Sequence, residues 1–252
     1  ELADIDITTA PMEVGPTCHY MMGGVRVDSD TQQSTIPGLF AAGEVAGGMH
    51  GANRLGGNSL SDLVVFGMLA GRHAAEYSTA SGSPAPVPEE VSDDHAEEAL
   101  APFDEHGDEN PYSIQNDLQE CMSSLVGIIR TESEMLEALD RLEVLKERLA
   151  RVHVEGHRQY NPGWHEAIAL SSMIIVSEAV ARAGLLREES RGAHTRLDFE
   201  GERSDWSEVN IVTRKGADGR MRLSKAARGD APGELAAIAW ATLEELDGGI
   251  HV

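Results

Sequence analysis

The sequence predicts an α/β region, then a helical bundle, then a small mixed α+β segment. Three observations carry that prediction. Residues 1–80 alternate short apolar patches with twelve of the chain's 26 glycines. Residues 111–190 repeat apolar positions at three- and four-residue steps, the period of one helix face. Residues 191–252 return to short strand-like runs and turns. Hydrophobic residues make up 41% of the 252, enough for a packed core and too many for a disordered chain.

In chain order, residues 39–42 read as a short buried strand ending in Gly43-Glu44. A strand that ends in glycine lets backbone approach a ligand, and a following carboxylate can accept hydrogen bonds from vicinal hydroxyls. Next comes His50-Gly-Ala-Asn-Arg-Leu-Gly-Gly-Asn-Ser-Leu60, followed by an apolar helical run over residues 63–70. Asn58 or Ser59 can cap that helix. Its amino end would direct free amides and partial positive charge at an anion, or at a ring that becomes anionic. The Walker spacing of a phosphate loop is absent. Arg54, just before the glycines, suits a planar pair with a carboxylate.

Residues 81–110 read as a Pro-rich acidic linker. In the bundle, Thr131-Glu-Ser-Glu134 has the spacing of a capping box, with Met135, Leu139, Leu142, Leu145, Leu149 and Val152 on one face behind it. A second helix is expected after Asn161-Pro162, ending near Gly184, with Trp164, Ile168, Ile175 and Val176 in the packing. The last segment offers Val209-Asn-Ile-Val-Thr213 as a strand, Ala217-Asp-Gly219 as a turn, and a short helix over 233–246.

Charge narrows the function. There are 43 acids against 20 bases, a formal charge of −23. That excludes nucleic-acid binding, which needs clustered Lys and Arg, and autonomous binding to anionic membranes. Thirteen acids and no Lys or Arg lie between Arg72 and Arg130, an expected solvated acidic surface. Cys18 and Cys121 make neither a disulfide scaffold nor a Cys-rich zinc site, and Cys18 is expected to be a small packed residue. The ten histidines show no metal-ligand spacing. The most apolar stretch, residues 167–176, is too short to cross a bilayer. The chain opens on Glu1 with no visible targeting segment and reads as part of something longer.

Three runs, in this order and spacing, resemble the flavoprotein subunit of succinate dehydrogenase and fumarate reductase. They are Pro16-Thr-Cys-His-Tyr-Met-Met-Gly-Gly24, Gly38-Leu-Phe-Ala-Ala-Gly-Glu44 and His50-Gly-Ala-Asn-Arg-Leu-Gly-Gly-Asn-Ser-Leu60. Glu189-Ser-Arg-Gly-Ala-His-Thr-Arg196 is a fourth. The resemblance implies the carboxy-terminal part of a Rossmann-like FAD-binding domain, followed by the bundle and a small α+β domain. Residues 1–17 would end a capping domain, 18–80 would belong to the FAD domain, 81–110 would be the linker, 111–190 the bundle and 191–252 the last domain.

The resemblance also implies roles. His19 and Arg54 would hold the carboxylates of succinate or fumarate. Glu44 would bind the ribityl part of FAD, and Ser59 and Leu60 would meet the flavin ring through backbone groups. On the residues of the fourth run themselves, Arg191, His194 and Arg196 are expected to cross-link the bundle to the flavin domain, with direct substrate contact as the alternative. The chain lacks the Gly-x-Gly-x-x-Gly loop that holds the FAD pyrophosphate, and in the family the flavin-linking His and the proton-shuttle Arg lie upstream. The resemblance therefore implies a fragment inactive alone. Its partners would be the missing amino-terminal part, an iron–sulfur subunit and, through it, membrane anchor subunits on the inner face of the cell membrane. L-aspartate oxidase shares the His-Tyr, Gly-Glu and His-Gly-Ala-Asn-Arg elements, but Arg54-Leu-Gly-Gly-Asn58 and Met21-Met22 favour the succinate/fumarate branch. A non-catalytic helical interaction fragment is the reading from a different class.

Overall fold

The computed structural model describes residues 5–6, 8–13, 15, 18–104, 107–230, 233–242 and 245. Much of the expected capping segment and the Pro16-Thr17 start of the first run lie outside the described residues. The chain divides into two compact units, residues 1–200 and 201–252.

In the first unit, strand β1 (Val25–Arg26) pairs in parallel with β2 (Ala46–Gly47), Val25 opposite Ala46 and Arg26 opposite Gly47. The approach is close: a Cβ on Gly24, at φ +155°, would lie 2.1 Å from the Val45 carbonyl oxygen. Only glycine fits there. Between the two strands the chain folds back on itself. Ser34 donates its amide to the Leu39 carbonyl at 2.8 Å, and the Ala41 amide donates to the Gln32 carbonyl at 3.1 Å. The strand expected at residues 39–42 is thus one arm of a short hairpin, with a single bridge, Gln33 to Phe40. The Pro37-Gly38 turn takes up the residues that would have extended it.

Helix α1 (Asn58–Ser81) follows. Gly57 caps it in the left-handed conformation without a side-chain bond, so Asn58 and Ser59 sit inside the first turn instead of capping it. The helix outruns the apolar segment that announced it by eleven residues. Its apolar side chains Leu60, Leu63, Val64 and Met68 are exposed, and Asp62 is its buried residue.

The acidic part of the expected linker forms helix α2 (Glu89–Leu100). Glu89 and Glu90 lie in its first turn, where carboxylates offset the helix dipole. No α2 residue is buried, so the sequence carried no apolar stripe to betray it. The chain is fastened after α2 by Trp164, whose indole N–H donates to the Ala99 carbonyl at 2.7 Å while its ring lies 5.7 Å from that of Phe103.

The core is a three-helix bundle: α3 (Pro111–Leu125), then strand β3 (Ile129–Arg130), α4 (Glu132–Leu149) and α5 (Pro162–Leu186). Each helix starts on a side-chain cap. Asn110 accepts from the Tyr112 amide at 2.9 Å, Thr131 from the Glu134 amide at 3.4 Å and Asn161 from the Trp164 amide at 3.2 Å. Thr131 Oγ1 also donates to the Glu134 carboxylate at 2.7 Å, so the expected capping-box pair meets through the hydroxyl. Ile114, Leu118 and Cys121 of α3 meet Met135, Ala138, Leu142 and Leu145 of α4 and Ala167, Leu170, Ile174 and Ala181 of α5. Strand β4 (Thr195–Arg196) then pairs in parallel with β3.

Helix α5 corrects two expectations. Ile168, Ile175 and Val176 are exposed, and the packed face is the Ala167–Leu170–Ile174–Ala181 stripe. A helix apolar on nearly every side gives no periodic signal of which stripe will pack. The apolar stretch also belongs to a 25-residue helix long and apolar enough to cross a membrane. Its packed stripe and its ion pairs mark it as a bundle helix: Glu178 accepts from Lys146 Nζ and Arg182 Nε, each at 2.6 Å.

The second unit holds helix α6 (Ser204–Ser207) and an antiparallel hairpin of β5 (Val209–Lys215) and β6 (Met221–Ala227), in register from Val209 opposite Ala227. The Lys225 ammonium lies 3.6 Å above the buried Trp206 ring. Helix α7 (Gly233–Trp240) begins where expected but stops at Trp240, with Ala241 and Thr242 outside it; the expected end at Leu246 lies outside the described residues.

Candidate active site

The first three sequence runs converge on one patch of the first unit. Glu44 is on a turn, Gly43–Val45, and its Oε1 accepts from the Met21 amide at 2.9 Å. That bond fastens the His19-Tyr20-Met21 segment to the Gly-Glu turn. The Tyr20 hydroxyl crosses to α1 and donates to Asp62 Oδ2 at 3.2 Å. Burial, then the hydrogen bond to that carboxylate, raise the pKa of the Tyr20 phenol, which keeps it a donor. His50 Nε2 reaches the same Asp62 oxygen at 3.3 Å, and its ring stands edge-on to Tyr20 at 5.3 Å.

Arg54 lies over this assembly. Its Cζ is 4.8 Å from the centre of the Tyr20 ring, a cation–π placement, and Nη1 donates to the Leu55 carbonyl at 3.1 Å. Its Nε is buried and meets no hydrogen-bond partner among the described residues. A buried guanidinium N–H without an acceptor is costly, and an anionic oxygen is the group that satisfies it best. Arg54 therefore rests against the residue that follows His19, whose own side chain is exposed. Ser59 is half-buried and Leu60 is exposed in the first turn of α1, beside the uncapped amino end.

Tyr20, His50 and Asp62 were not singled out from the sequence. A signal existed: an aspartate directly ahead of the apolar run 63–70 needs a partner if the helix packs. Cys18, expected to be packed, is exposed.

The fourth run folds into a loop between α5 and β4. Glu189 is fully buried and accepts from Arg191 Nε at 2.9 Å and from Arg187. His194 Nδ1 accepts from Arg130 Nη1 at 3.1 Å, and its Nε2 donates to the Arg187 carbonyl at 3.1 Å. Burial foremost, with Arg130 and Arg196 adding positive charge nearby, lowers the His194 pKa and favours this neutral form. These side chains fasten the loop to the bundle. The link toward the site is made by backbone instead: the Ala193 amide donates to the Ala52 carbonyl at 3.0 Å, two residues before Arg54. This backbone bond joins the loop to the segment expected to belong to the flavin domain.

A "Fumarate reductase flavoprotein C-term" family model matches residues 115–236, and a "FAD binding domain" model matches residues 1–60. The chain is 39% identical over 228 residues to an Escherichia coli fumarate reductase flavoprotein subunit, covering 87% of this chain and 37% of that protein. It is 40% identical over 211 residues to a fumarate reductase (CoM/CoB) subunit from Methanothermobacter marburgensis, covering 84% and 38%. Among solved structures, Mycobacterium smegmatis Sdh1 in complex with UQ1 is 49% identical at a TM-score of 0.87, covering 98% of this chain and 41% of that one. The chain thus spans about two fifths of the length of these relatives. On both its amino-terminal runs and its bundle, the chain belongs to the flavoprotein family of succinate dehydrogenases and fumarate reductases.

Proposed function

We propose that this chain is the carboxy-terminal portion of a flavoprotein subunit that interconverts succinate and fumarate, FAD supplying the ring that accepts or returns the hydride. In this reading residues 1–17 end a capping domain, 18–80 complete a Rossmann-like FAD domain, 81–110 connect, 111–190 are the bundle, and 191–252 form the last domain. The carrying observation is the open Arg54 Nε, buried over Tyr20 and next in space to the His19 segment. Arg54 and His19 hold the two carboxylates and so fix which C–H bond faces the cofactor, which is catalysis by orientation. Glu44 serves the ribityl hydroxyls. The amino end of α1 at Ser59 and Leu60 favours the negative charge of the reduced ring.

The exposed apolar side chains of α1 suit burial under the upstream half of the same domain. An iron–sulfur subunit takes the electrons, and membrane anchor subunits hold the assembly to the inner face of the cell membrane. Two similar structures, Sdh1 in complex with UQ1 and a quinol-fumarate reductase with menaquinol molecules, support a quinone as the far end of that route.

The test compares two proteins. The isolated chain is expected to purify without stoichiometric flavin. The full-length subunit is expected to hold FAD and to reduce an electron acceptor with succinate, and Arg54→Ala to abolish that turnover while FAD stays bound. A flavin-loaded full-length subunit that ignores succinate and fumarate but oxidises L-aspartate would move the chain to the L-aspartate oxidase branch.

A further inference from the structure

We infer that Asp62 is a positioning residue that aims Arg54 at the dicarboxylate, acting through Tyr20 and His50; this rests on the substrate reading above. Asp62 is only 5% exposed, on a helix whose neighbouring side chains face outward. An acid in such a place costs free energy unless its oxygens are used. Both partners shown for it belong to the site segments, the Tyr20 phenol and the His50 ring. One oxygen, Oδ2, takes both the Tyr20 hydroxyl at 3.2 Å and His50 Nε2 at 3.3 Å.

The consequence runs outward from Asp62. With its hydroxyl tethered and His50 against its ring, Tyr20 cannot turn about its χ angles. A fixed ring face gives the guanidinium one seat, 4.8 Å from the ring centre. The Leu55 carbonyl accepts from Nη1, and the Nε edge stays open. A planar cation binds a carboxylate well only when its plane is already set, because each freed rotamer must be frozen again on binding. Asp62 thus sets dicarboxylate affinity without touching the dicarboxylate.

The experiment uses the FAD-loaded full-length subunit and three variants: Asp62→Asn, Tyr20→Phe and Tyr20→Leu. Succinate affinity is read by calorimetry, beside flavin content, melting temperature, KM and kcat. Tyr20→Leu removes the seat and is expected to weaken succinate binding about tenfold, in line with a partly desolvated cation–π contact. Asp62→Asn is expected to raise KM several-fold, with flavin content kept. Tyr20→Phe keeps the ring and cuts only the tether, so it should fall between wild type and Tyr20→Leu. Unchanged affinity in Asp62→Asn and Tyr20→Phe overturns the inference. So does a parallel loss of flavin and melting temperature in all three, which would make Asp62 a folding residue. A wild-type subunit blind to succinate removes the substrate reading and this inference together; a responsive wild type with indifferent variants removes the inference alone.

Discussion

Replacing Arg196 with methionine tests how the bundle is closed and how the site is held. The guanidinium is 1% exposed. Nε and Nη2 form a fork onto the two oxygens of Asp198, each at 2.7 Å. Nη1 donates to the carbonyls of Gly184, Leu185 and Arg187 at 2.9, 3.1 and 3.3 Å, at the carboxy end of α5. Arg196→Met keeps the bulk and removes every donor. Breaking a buried ion pair costs about 3–5 kcal/mol. Asp198 is 29% exposed and can recover some water, so the lower end, about 3 kcal/mol, is the better figure. At roughly 2–4 °C per kcal/mol for a chain of this size, the melting temperature should fall by about 6–12 °C.

Arg196→Lys retains a charge near the carbonyls but not the fork, so about half the loss is expected. A double-mutant cycle with Asp198→Asn should return a coupling of about 1–2 kcal/mol. Thermal and urea unfolding followed by circular dichroism supply these numbers. If Arg196→Met melts within about 2 °C of wild type, or the cycle shows no coupling, the idea that this arginine closes α5 is wrong.

Two further outcomes follow from the same loop. Hydrogen bonds from Arg196, with help from the Glu132 amide, hold the Asp198 carboxyl at about 2, below its usual 3.8. A depressed carboxyl adds stability above pH 3.8 and loses it as pH falls toward 2. Wild type should therefore lose about 1 kcal/mol more than Asp198→Asn across that window, after allowance for partial exposure, as read from urea midpoints at each pH. Gly192, at φ +59°, would place a Cβ 2.5 Å from the Ala52 carbonyl oxygen, so Gly192→Ala must push the loop off the Arg54 run. Faster amide exchange at Ala193 with little change inside the bundle is the expected signature; an unchanged Ala193 rate would show that the contact gives way without consequence.

Local chemistry was legible wherever it repeated or capped. Thr131 and Glu134 announced the start of α4, Asn161-Pro162 that of α5, and the Met135–Leu142–Leu145 spacing the buried face of α4, because each signal lies within a turn or two of the residue it governs. The four runs carrying the resemblance were legible too, since the family's chemistry keeps those residue types at fixed spacing. What stayed hidden depended on neighbours far along the chain. Acidic α2 showed no stripe because it buries none of its residues, and α5 showed too many apolar positions to reveal which would pack.

The sequence by itself determined the starts of α4 and α5, the buried face of α4 and the family. Only the tertiary structure decided that Asp62 meets Tyr20 forty-two positions away, that Tyr20 seats Arg54, and that a backbone contact from Ala193 steadies that arginine's segment. The physical reason is range. Capping and amphipathic periodicity act between residues a few positions apart, whereas a buried carboxylate accepts whichever donors the folded chain brings within about 3 Å.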